Sequence, residues 1–385
     1  MSDTGALSRR HDMVVFLNGK YVPADQARVG IMTHALAYGT GVFEGIRGYW
    51  NEQREDVFIF RAREHFERLH RSCRIMQIDL PFTVDELVEA AAELVRRNGQ
   101  RENIYIRPFA YKSDEIIGVK LHGLRDHFAM YSWPQGDYVG TDGLRCGVSS
   151  WRRVDDNMIP ARAKVAGAYV NSALAKTEAQ QNGFDEAIML TSEGHVSEGS
   201  AENLFMVING ELITPPTSEN ILPGITRDTV IHLAHRELGR ITRERVIDRT
   251  ELYGADEIFL TGTGAQIAPV VAVDHRPVGK VKITPDSTEK FGPTVRGEIG
   301  PISREIQHIY NEVVRGMRPE YSSWCLGAHS SAKRPATVSA RHTTNGQASN
   351  GHAESNGANG TNGHKSNGHT PARGRGGAEK ATPGV

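Results

Sequence analysis

The sequence predicts a two-domain α+β protein with a disordered C-terminal tail. Its length of 385 residues favours more than one domain. Helix-like and strand-like segments follow one another irregularly, without the strict strand–helix–strand order of a parallel sheet. Hydrophobic residues make up only 38% of the chain, and the shortfall is concentrated in its last segment. A chain with that distribution is expected to fold over most of its length and to remain unfolded at its end.

The first domain is expected over 12–133, where sequence signals locate five elements. Asn18-Gly19 is a typical hairpin turn. Thr83 and Glu86 have the spacing of a capping box, which begins a helix. Hydrophobic periodicity supplies the other elements. The predicted elements are a hairpin over 14–22, helices over 63–76 and 84–98, and strands over 104–112 and 128–133.

The second, larger domain is expected over 144–326, after a linker over 134–143. Pro, Gly and Asp dominate the linker, and these residues favour turns. The second domain mixes both kinds of element, as the first one does. Its predicted elements are strands over 144–149, 186–191, 203–208, 241–247 and 257–260, with helices over 169–181, 226–238 and 302–315.

Both ends of the chain differ from the two domains. Residues 1–11 are polar, and we expect them to be flexible. In 327–385 the dipeptide Asn-Gly recurs without the apolar alternation that a hairpin needs, which predicts a low-complexity, disordered tail. Its histidines could bind a metal and its Arg-Gly run could touch RNA. Short tails of this composition are usually solvated chain, so neither role is expected.

Charge and cysteine content exclude several classes of function. The formal net charge of −1 argues against a nucleic-acid partner. Cys73, Cys146 and Cys325 are far apart and lack the spacing of a disulfide framework or a metal site. No apolar run approaches the ~20 residues of a membrane span. We therefore expect a soluble, cytoplasmic protein without a metal ion.

Lys164 and Glu198 give the strongest functional signal. A lysine amine can form a Schiff base with an aldehyde, and a carboxylate can keep a pyridine nitrogen protonated. A pyridoxal-phosphate (PLP) enzyme needs both groups. Either residue alone would be weak evidence, because most lysines and glutamates are solvated surface charges.

Several further segments accompany this pair in a fixed order. They are 34–47 (HALAYGTGVFEGIR), 65–69 (HFERL), 105–108 (YIRP), 197–205 (SEGSAENLF), 222–227 (LPGITR) and 261–265 (TGTGA). With these segments, the chain over about 12–325 resembles the fold-type IV PLP enzymes, and within them the branched-chain amino acid aminotransferases. The resemblance implies a D-amino acid aminotransferase-like fold. It also implies amino transfer from L-leucine, L-isoleucine and L-valine to 2-oxoglutarate, giving branched-chain 2-oxo acids and L-glutamate.

The resemblance implies roles for two sets of residues. Lys164 is the expected catalytic base, which moves a proton between the substrate and the cofactor. The cofactor set is Arg68, Lys164, Tyr169, Glu198, Gly224, Ile225, Thr226 and Thr263. The substrate set is Tyr38, Phe43, Gly45, Arg47, Tyr105, Arg107, Trp133, Gly264 and Ala265.

Within these sets, Arg68, the helix start at Gly224 and Thr263 are expected to bind the phosphate. The aromatic residues would form a wall for the aliphatic side chain. Arg107 would pair with the side-chain carboxylate of glutamate. Part of the pocket in such enzymes lies across a subunit interface, which implies a homodimer or a higher assembly of dimers.

Departures from the family pattern leave alternatives open. The family often has Ala at the position of Gly264, and 280–295 resembles a surface insertion. Glu202 is expected to be a cap or a surface acid. An aminodeoxychorismate lyase, a D-amino acid transaminase or an (R)-amine transaminase would share Lys164 and Glu198. A non-enzymatic scaffold that binds partners through its tail is the third reading.

Overall fold

The computed structural model describes residues 13–136, 143–283 and 295–331. The predicted flexible N-terminus (1–11), most of the predicted linker, the centre of the predicted insertion and residues 332–385 lie outside these ranges. The division into two domains at 134–143 therefore stays a prediction. Strands and helices are mixed as expected, and the α+β prediction is confirmed.

The first half of the chain forms a predominantly antiparallel sheet. In the described residues its spatial order is β19-β5-β4-β6-β7-β1-β2, and β3 pairs with β6. Its strands before the second sheet are β1 (Val14–Leu17), β2 (Lys20–Pro23), β3 (Gly41–Phe43), β4 (Ile46–Asn51), β5 (Asp56–Phe60), β6 (Ile104–Lys112) and β7 (Asp126–Pro134). The hairpin prediction is confirmed, because Asn18 and Gly19 both have positive φ angles, as the tight turn between β1 and β2 requires.

The second half forms a mixed sheet with the order β10-β9-β8-β15-β14-β11-β12-β13, and β16 pairs with β15. Its strands are β8 (Leu144–Arg152), β9 (Glu186–Leu190), β10 (Val196–Gly199), β11 (Asn203–Ile208), β12 (Glu211–Thr214), β13 (Thr242–Glu244), β14 (Glu257–Gly262), β15 (Gln266–Val273) and β16 (Arg276–Pro277). Two more strands, β17 (Val281–Ile283) and β18 (Val295–Gly297), pair with each other at the ends of the predicted insertion. The last strand, β19 (Cys325–Gly327), returns to the first sheet beside β5.

Helices cover both sheets, and each long helix lies within one residue of its predicted ends. They are α1 (His34–Tyr38), α2 (Ala62–Ile75), α3 (Val84–Arg97), α4 (Tyr169–Gln181), α5 (Ile225–Leu238) and α6 (Pro301–Val314). Short 3-10 helices occur at Ala24–Gln26, Ala166–Ala168, Arg249–Tyr253 and Pro319–Trp324. In the parts of the chain that the structure describes, none of the helices is long and apolar enough to cross a membrane.

The strand predicted over 241–247 is wrong in its length. Only Thr242–Glu244 is a strand, and it pairs in parallel with β12. The pairing ends at Thr214, because Pro215 and Pro216 follow and proline cannot donate to the ladder.

The expected start of the tail at 327 is also wrong. Asp56, a buried residue of β5, accepts hydrogen bonds from the backbone N–H groups of His329 (2.8 Å) and Ser330 (3.1 Å). The Ser330 hydroxyl donates to the same carboxylate at 2.6 Å. Ala328 is fully buried, and its N–H donates to the carbonyl oxygen of Val57. Residues 327–331 are therefore part of the folded unit, which their polar composition did not indicate.

Candidate active site

A cavity of about 540 Å³ lies between the two sheets. Side chains from β6 and β7 line one wall, and the 197–203 and 261–265 segments line the other. Most of the predicted site residues meet here. Those that line the cavity are Phe43, Gly45, Arg68, Tyr105, Arg107, Trp133, Lys164, Tyr169, Glu198, Gly224, Ile225, Thr226, Thr263, Gly264 and Ala265.

Lys164 is held in the cavity from both sides of its backbone. Its N–H donates to the Ser72 hydroxyl on α2 (3.2 Å), and its carbonyl oxygen accepts from the Phe43 N–H (3.0 Å). The side-chain Nζ donates to the Tyr169 hydroxyl at 2.6 Å. Tyr169 is the first residue of α4, so the five-residue spacing between the two side chains brings an amine and a phenol together. The arrangement can exchange a proton between nitrogen and oxygen.

Glu198 is a buried carboxylate at the end of β10. Its Oε1 lies 2.9 Å from an Arg153 guanidinium nitrogen, and its Oε2 accepts from the Asn203 side-chain amide at 2.9 Å. Burial raises the pKa of Glu198, and the positive charge of Arg153 acts in the opposite direction. A carboxylate balanced in this way can accept a hydrogen bond from a cationic ring nitrogen.

The other end of the cavity is built for an anion. Helix α5 begins at Ile225, one residue before its predicted start, and no side chain caps its first turn. Free N–H groups and the helix dipole favour a negative charge at such a position. The Arg68 guanidinium lies beside the helix start and donates to the Pro223 carbonyl oxygen at 2.9 Å. The predicted phosphate residues thus converge from α2 and α5.

Alternation along β6 places Tyr105 and Arg107 on one face, toward the cavity. Arg107 donates to the Tyr105 hydroxyl at 3.0 Å, and its guanidinium carbon lies 4.4 Å from the centre of the Phe43 ring. Its Nε is buried and lacks a hydrogen-bond partner among the described residues. Trp133 pairs with Tyr105 across the ladder. The wall is therefore aromatic, with one cation in it.

Gly45 is required by the close approach of this wall. A Cβ atom at Gly45 would lie 1.9 Å from the Tyr105 hydroxyl. At Gly264, by contrast, a Cβ atom would meet nothing within 4 Å. The Ala that the family often has at this position would therefore fit here. A buried hydroxyl nearby, that of Thr261, also has no partner among the described residues.

Tyr38 and Arg47, which were expected to bind substrate, do not line the cavity. The Tyr38 ring packs at 4.7 Å from His34, its hydroxyl accepts from the Gly118 N–H, and 37% of the residue is exposed. Arg47 is buried on β4 and donates to the Gly136 carbonyl oxygen at 3.1 Å. Sequence proximity to Phe43 and Gly45 did not reveal that the chain turns these two side chains elsewhere.

The expectation that Glu202 is a surface acid is wrong. Glu202 is buried, lines the cavity, and accepts the Ala201 N–H at 3.0 Å. Burial and the nearby Glu186 carboxylate raise the pKa of Glu202 to about 8. The carboxyl group is therefore largely protonated at neutral pH.

Sequence reasoning missed three residues of this site. Tyr131 lines the cavity two residues before Trp133 on β7, and strand alternation could have identified it. Glu44 lies inside the 34–47 segment, but only its neighbours were selected. Arg153 carries no local signal, because arginines are frequent in this chain and its partner Glu198 is distant in sequence.

Comparisons with known proteins are consistent with this geometry. The model of the family "Amino-transferase class IV" matches residues 41–273. The chain is 48% identical over 310 residues to the "Probable branched-chain-amino-acid aminotransferase" of Aquifex aeolicus, which covers 80% of this chain and 94% of the relative.

Solved structures give the same picture. The branched-chain aminotransferase from Thermoproteus uzoniensis, crystallised with norvaline, is 43% identical, with a TM-score of 0.75 over 82% of this chain and 99% of that one. A second branched-chain amino acid aminotransferase, from T.th. and complexed with N-(5'-phosphopyridoxyl)-L-glutamate, is 40% identical, with a TM-score of 0.74 and the same two coverages.

Proposed function

This chain belongs to the amino-transferase class IV family, and we propose that it is a PLP-dependent branched-chain amino acid aminotransferase. It transfers the amino group of L-leucine, L-isoleucine or L-valine to 2-oxoglutarate, giving the branched-chain 2-oxo acids and L-glutamate. The observation that carries the proposal is the Lys164 amine, 2.6 Å from the Tyr169 hydroxyl inside a cavity that also holds Glu198.

The donors around the cavity fit PLP as the cofactor. Arg68 and the start of α5 (Gly224, Ile225 and Thr226) suit the phosphate, with Thr263 as a further hydroxyl donor. Glu198 suits the pyridine nitrogen at the other end, and Tyr169 suits the ring hydroxyl between them. When bound, the cofactor supplies an electron sink for the bonds at the substrate Cα.

Lys164 is proposed as the catalytic base. Its amine takes the proton from the substrate Cα and returns it to the cofactor side of the same bond system. Tyr169 orients the amine through the 2.6 Å hydrogen bond. The Ser72 hydroxyl and the Phe43 N–H fix the lysine backbone, so that the amine has a single direction of approach.

Dual substrate recognition is proposed for the wall opposite Lys164. Phe43, Tyr105 and Trp133 form its apolar surface, which suits an aliphatic side chain. Arg107 lies within this surface with an unpartnered buried Nε, and a glutamate side-chain carboxylate would satisfy it. The N–H groups of Gly264 and Ala265 are proposed to bind the α-carboxylate. The relatives crystallised with norvaline and with a phosphopyridoxyl-glutamate bind both kinds of ligand.

The test is a half-reaction followed by absorbance. Full-length protein loaded with PLP is mixed separately with L-leucine, L-glutamate, D-alanine and an (R)-amine. Conversion of the cofactor band by both L-leucine and L-glutamate is expected. Lys164→Ala should lower the rate by at least roughly 10²–10⁴-fold, whereas the exposed-site control Lys20→Ala should match wild type. Conversion only by D-alanine or the amine, or pyruvate release from aminodeoxychorismate, would overturn the substrate assignment.

A homodimer is part of the proposal. An exposed apolar face is formed by α1, the residues before it and the 116–119 segment. Its side chains are Val29, Ile31, Met32, Leu36, Ile117 and Val119, each more than half exposed. Hydrogen bonds from His34 to the Asp114 and Gly118 carbonyl oxygens hold the two segments together.

A second copy of the chain is the proposed occupant of this face. Exposed apolar patches of this kind mark interaction sites. Tyr38 lies on the same segment and away from its own cavity, so pairing of two copies would bring it to a neighbouring one. Ile117→Asp should yield monomers in sedimentation velocity, and Ile241→Asp, which changes an equally exposed residue elsewhere, should not. A monomeric wild-type protein would overturn this part of the proposal.

The cytoplasm is the proposed compartment. Cys73, Cys146 and Cys325 are all free thiols, as expected where the surroundings are reducing. Fractionation of cells expressing the full chain tests this point, and recovery with secreted proteins would contradict it.

A further inference from the structure

We propose that Glu44 is a positioning residue that fixes the Arg68 guanidinium, so that cofactor affinity depends on it although it does not line the cavity. This inference rests on the proposed function, because it assigns a supporting role at the phosphate end of the same site. The residue follows β3, in the loop that leads into β4, and is fully buried.

Glu44 binds one edge of the arginine with both carboxylate oxygens. Its Oε1 accepts from Arg68 Nε at 2.7 Å, and its Oε2 accepts from Arg68 Nη2 at 2.8 Å. Such a bidentate pair fixes the plane of a guanidinium as well as its distance. The Arg68 side chain is itself only 4% exposed. Its orientation is therefore decided by Glu44 and not by solvent.

The remaining donors of Arg68 are left for the anion site. An arginine has five N–H groups. Two bind Glu44, and a third binds the Pro223 carbonyl oxygen at 2.9 Å. The last two belong to Nη1 and Nη2, and Arg68 lines the cavity beside the start of α5. A phosphate there would meet N–H groups of α5 and N–H groups of Arg68 at a fixed angle.

His65 anchors the carboxylate in turn. Its Nδ1 lies 2.7 Å from Glu44 Oε2. Burial lowers the pKa of His65, with Glu44 acting in the opposite direction, so the ring is neutral and donates through Nδ1. Burial by itself would raise the pKa of Glu44, but Arg68 and His65 hold it well below its usual range. The pair is thus a permanent ion pair with a third, neutral support.

Stability alone does not account for this arrangement. A fully buried ion pair contributes little net stability, because desolvating both charges offsets their attraction, and apolar replacements are often neutral or better. An orientation role gives the buried carboxylate a specific purpose. It also explains why His65 and Arg68 stand three residues apart on α2, on the face that meets the loop after β3.

Glu44→Asp separates orientation from charge. The shorter carboxylate keeps the negative charge but cannot reach both nitrogens from the same backbone. Binding of PLP and of pyridoxal, which lacks the phosphate, is titrated to the full-length chain after cofactor removal. We expect the Kd of PLP to rise about tenfold or more, the value of one charge-assisted hydrogen bond. The Kd of pyridoxal should stay within about twofold of wild type.

Two further sets of variants keep the test decisive if Glu44→Asp folds poorly. His65→Ala removes the anchor and should weaken PLP selectively, whereas His65→Asn keeps a donor near the Nδ1 position and should restore affinity. Glu257→Asp is the matched control, since Glu257 is a buried carboxylate that binds the Ile302 and Ser303 N–H groups far from the cavity. It should leave the ratio of the two dissociation constants unchanged.

Two results would overturn the inference. Equal weakening of PLP and pyridoxal would show a general packing role, and unchanged binding of both would show that Arg68 needs no positioning. Failure of the proposed function has a different signature, because wild-type protein would then bind neither compound in a manner that depends on Lys164.

Discussion

At the scale of single residues, Arg107 has the most specific consequence for substrate choice. Its buried Nε lacks a partner among the described residues, although the guanidinium stacks on Phe43 and bonds Tyr105. Arg107→Leu should lower kcat/KM for glutamate by about tenfold to a hundredfold, the value of a hydrogen bond to a charged group. The loss for leucine should be several times smaller, because leucine brings no side-chain carboxylate. Steady-state kinetics with each substrate measures both.

The control for this change is Arg243→Leu, which alters an arginine whose side chain is 63% exposed. It should leave both substrates unaffected. Equal losses for glutamate and leucine in Arg107→Leu would remove the argument that this residue reads the second carboxylate.

Glu202 makes the pH dependence of stability a residue-scale property. Its pKa is raised from 4.5 to about 8 in the folded protein. Between these values the folded chain holds a proton that the unfolded chain has lost, so the free energy of unfolding falls as pH rises through this window. The slope is at most about 1.4 kcal/mol per pH unit. Glu202→Gln should flatten it, as measured by urea unfolding at pH 5 to 8.

Glu67→Gln is the comparison for that series, because Glu67 is an exposed glutamate on α2. Its stability should follow wild type at every pH. A slope in Glu202→Gln as steep as that of wild type would mean that the proton is held elsewhere.

At the scale of elements, the start of α3 depends on its capping box. Thr83 accepts the Glu86 N–H at 3.2 Å, and Glu86 accepts the Thr83 N–H at 2.7 Å. Thr83→Ala should lower the free energy of unfolding by about 0.5–2 kcal/mol, because a donor of the first turn loses its partner. Urea denaturation checks this, with the exposed Thr250→Ala as the control. A change below that of the control would show that packing alone holds the helix start.

Strand β15 shows how tertiary pairing can override a local signal. It contains Pro269, which argues against a central strand. Pro269 pairs with Phe259 of β14, while pairing with β8 begins one residue later, at Val270. At Pro269 the strand therefore has a neighbour on one side, and the missing N–H leaves no gap in the ladder. The sequence did not predict this strand, because the partner that tolerates the proline is not local.

At the scale of the whole molecule, the end of the folded unit can be tested by two truncations. A chain ending at 331 keeps every hydrogen bond to Asp56, and its stability should stay within about 0.5 kcal/mol of wild type. A chain ending at 326 removes the N–H and hydroxyl donors of His329 and Ser330. It leaves the buried carboxylate with the N–H of Val57 as its remaining donor, and it should lose about 3–5 kcal/mol.

Thermal or urea unfolding of both truncated chains measures the difference. Equal stability of the two would show that residues 327–331 contribute nothing to the fold. A large loss on removing only 332–385 would show that the tail contacts the folded unit.

By itself, the sequence determined what depends on neighbours along the chain. The tight turn at Asn18-Gly19, the cap at Thr83 and the amphipathic helices follow from local backbone chemistry. Motif order then indicated the family, which the comparisons confirmed. Lys164 and Tyr169 could also be paired from their spacing, since the second begins the helix that follows the first.

Only the tertiary structure decided which side chains meet across the two sheets. Arg153 reaches Glu198, Glu44 reaches Arg68, and Asp56 binds the last described residues of the chain, through contacts between segments far apart in sequence. Tyr38 and Arg47 were assigned to the cavity by their motif, and the fold directs both elsewhere. The physical reason is that burial and charge pairing depend on the summed geometry of all the elements, which no local pattern encodes.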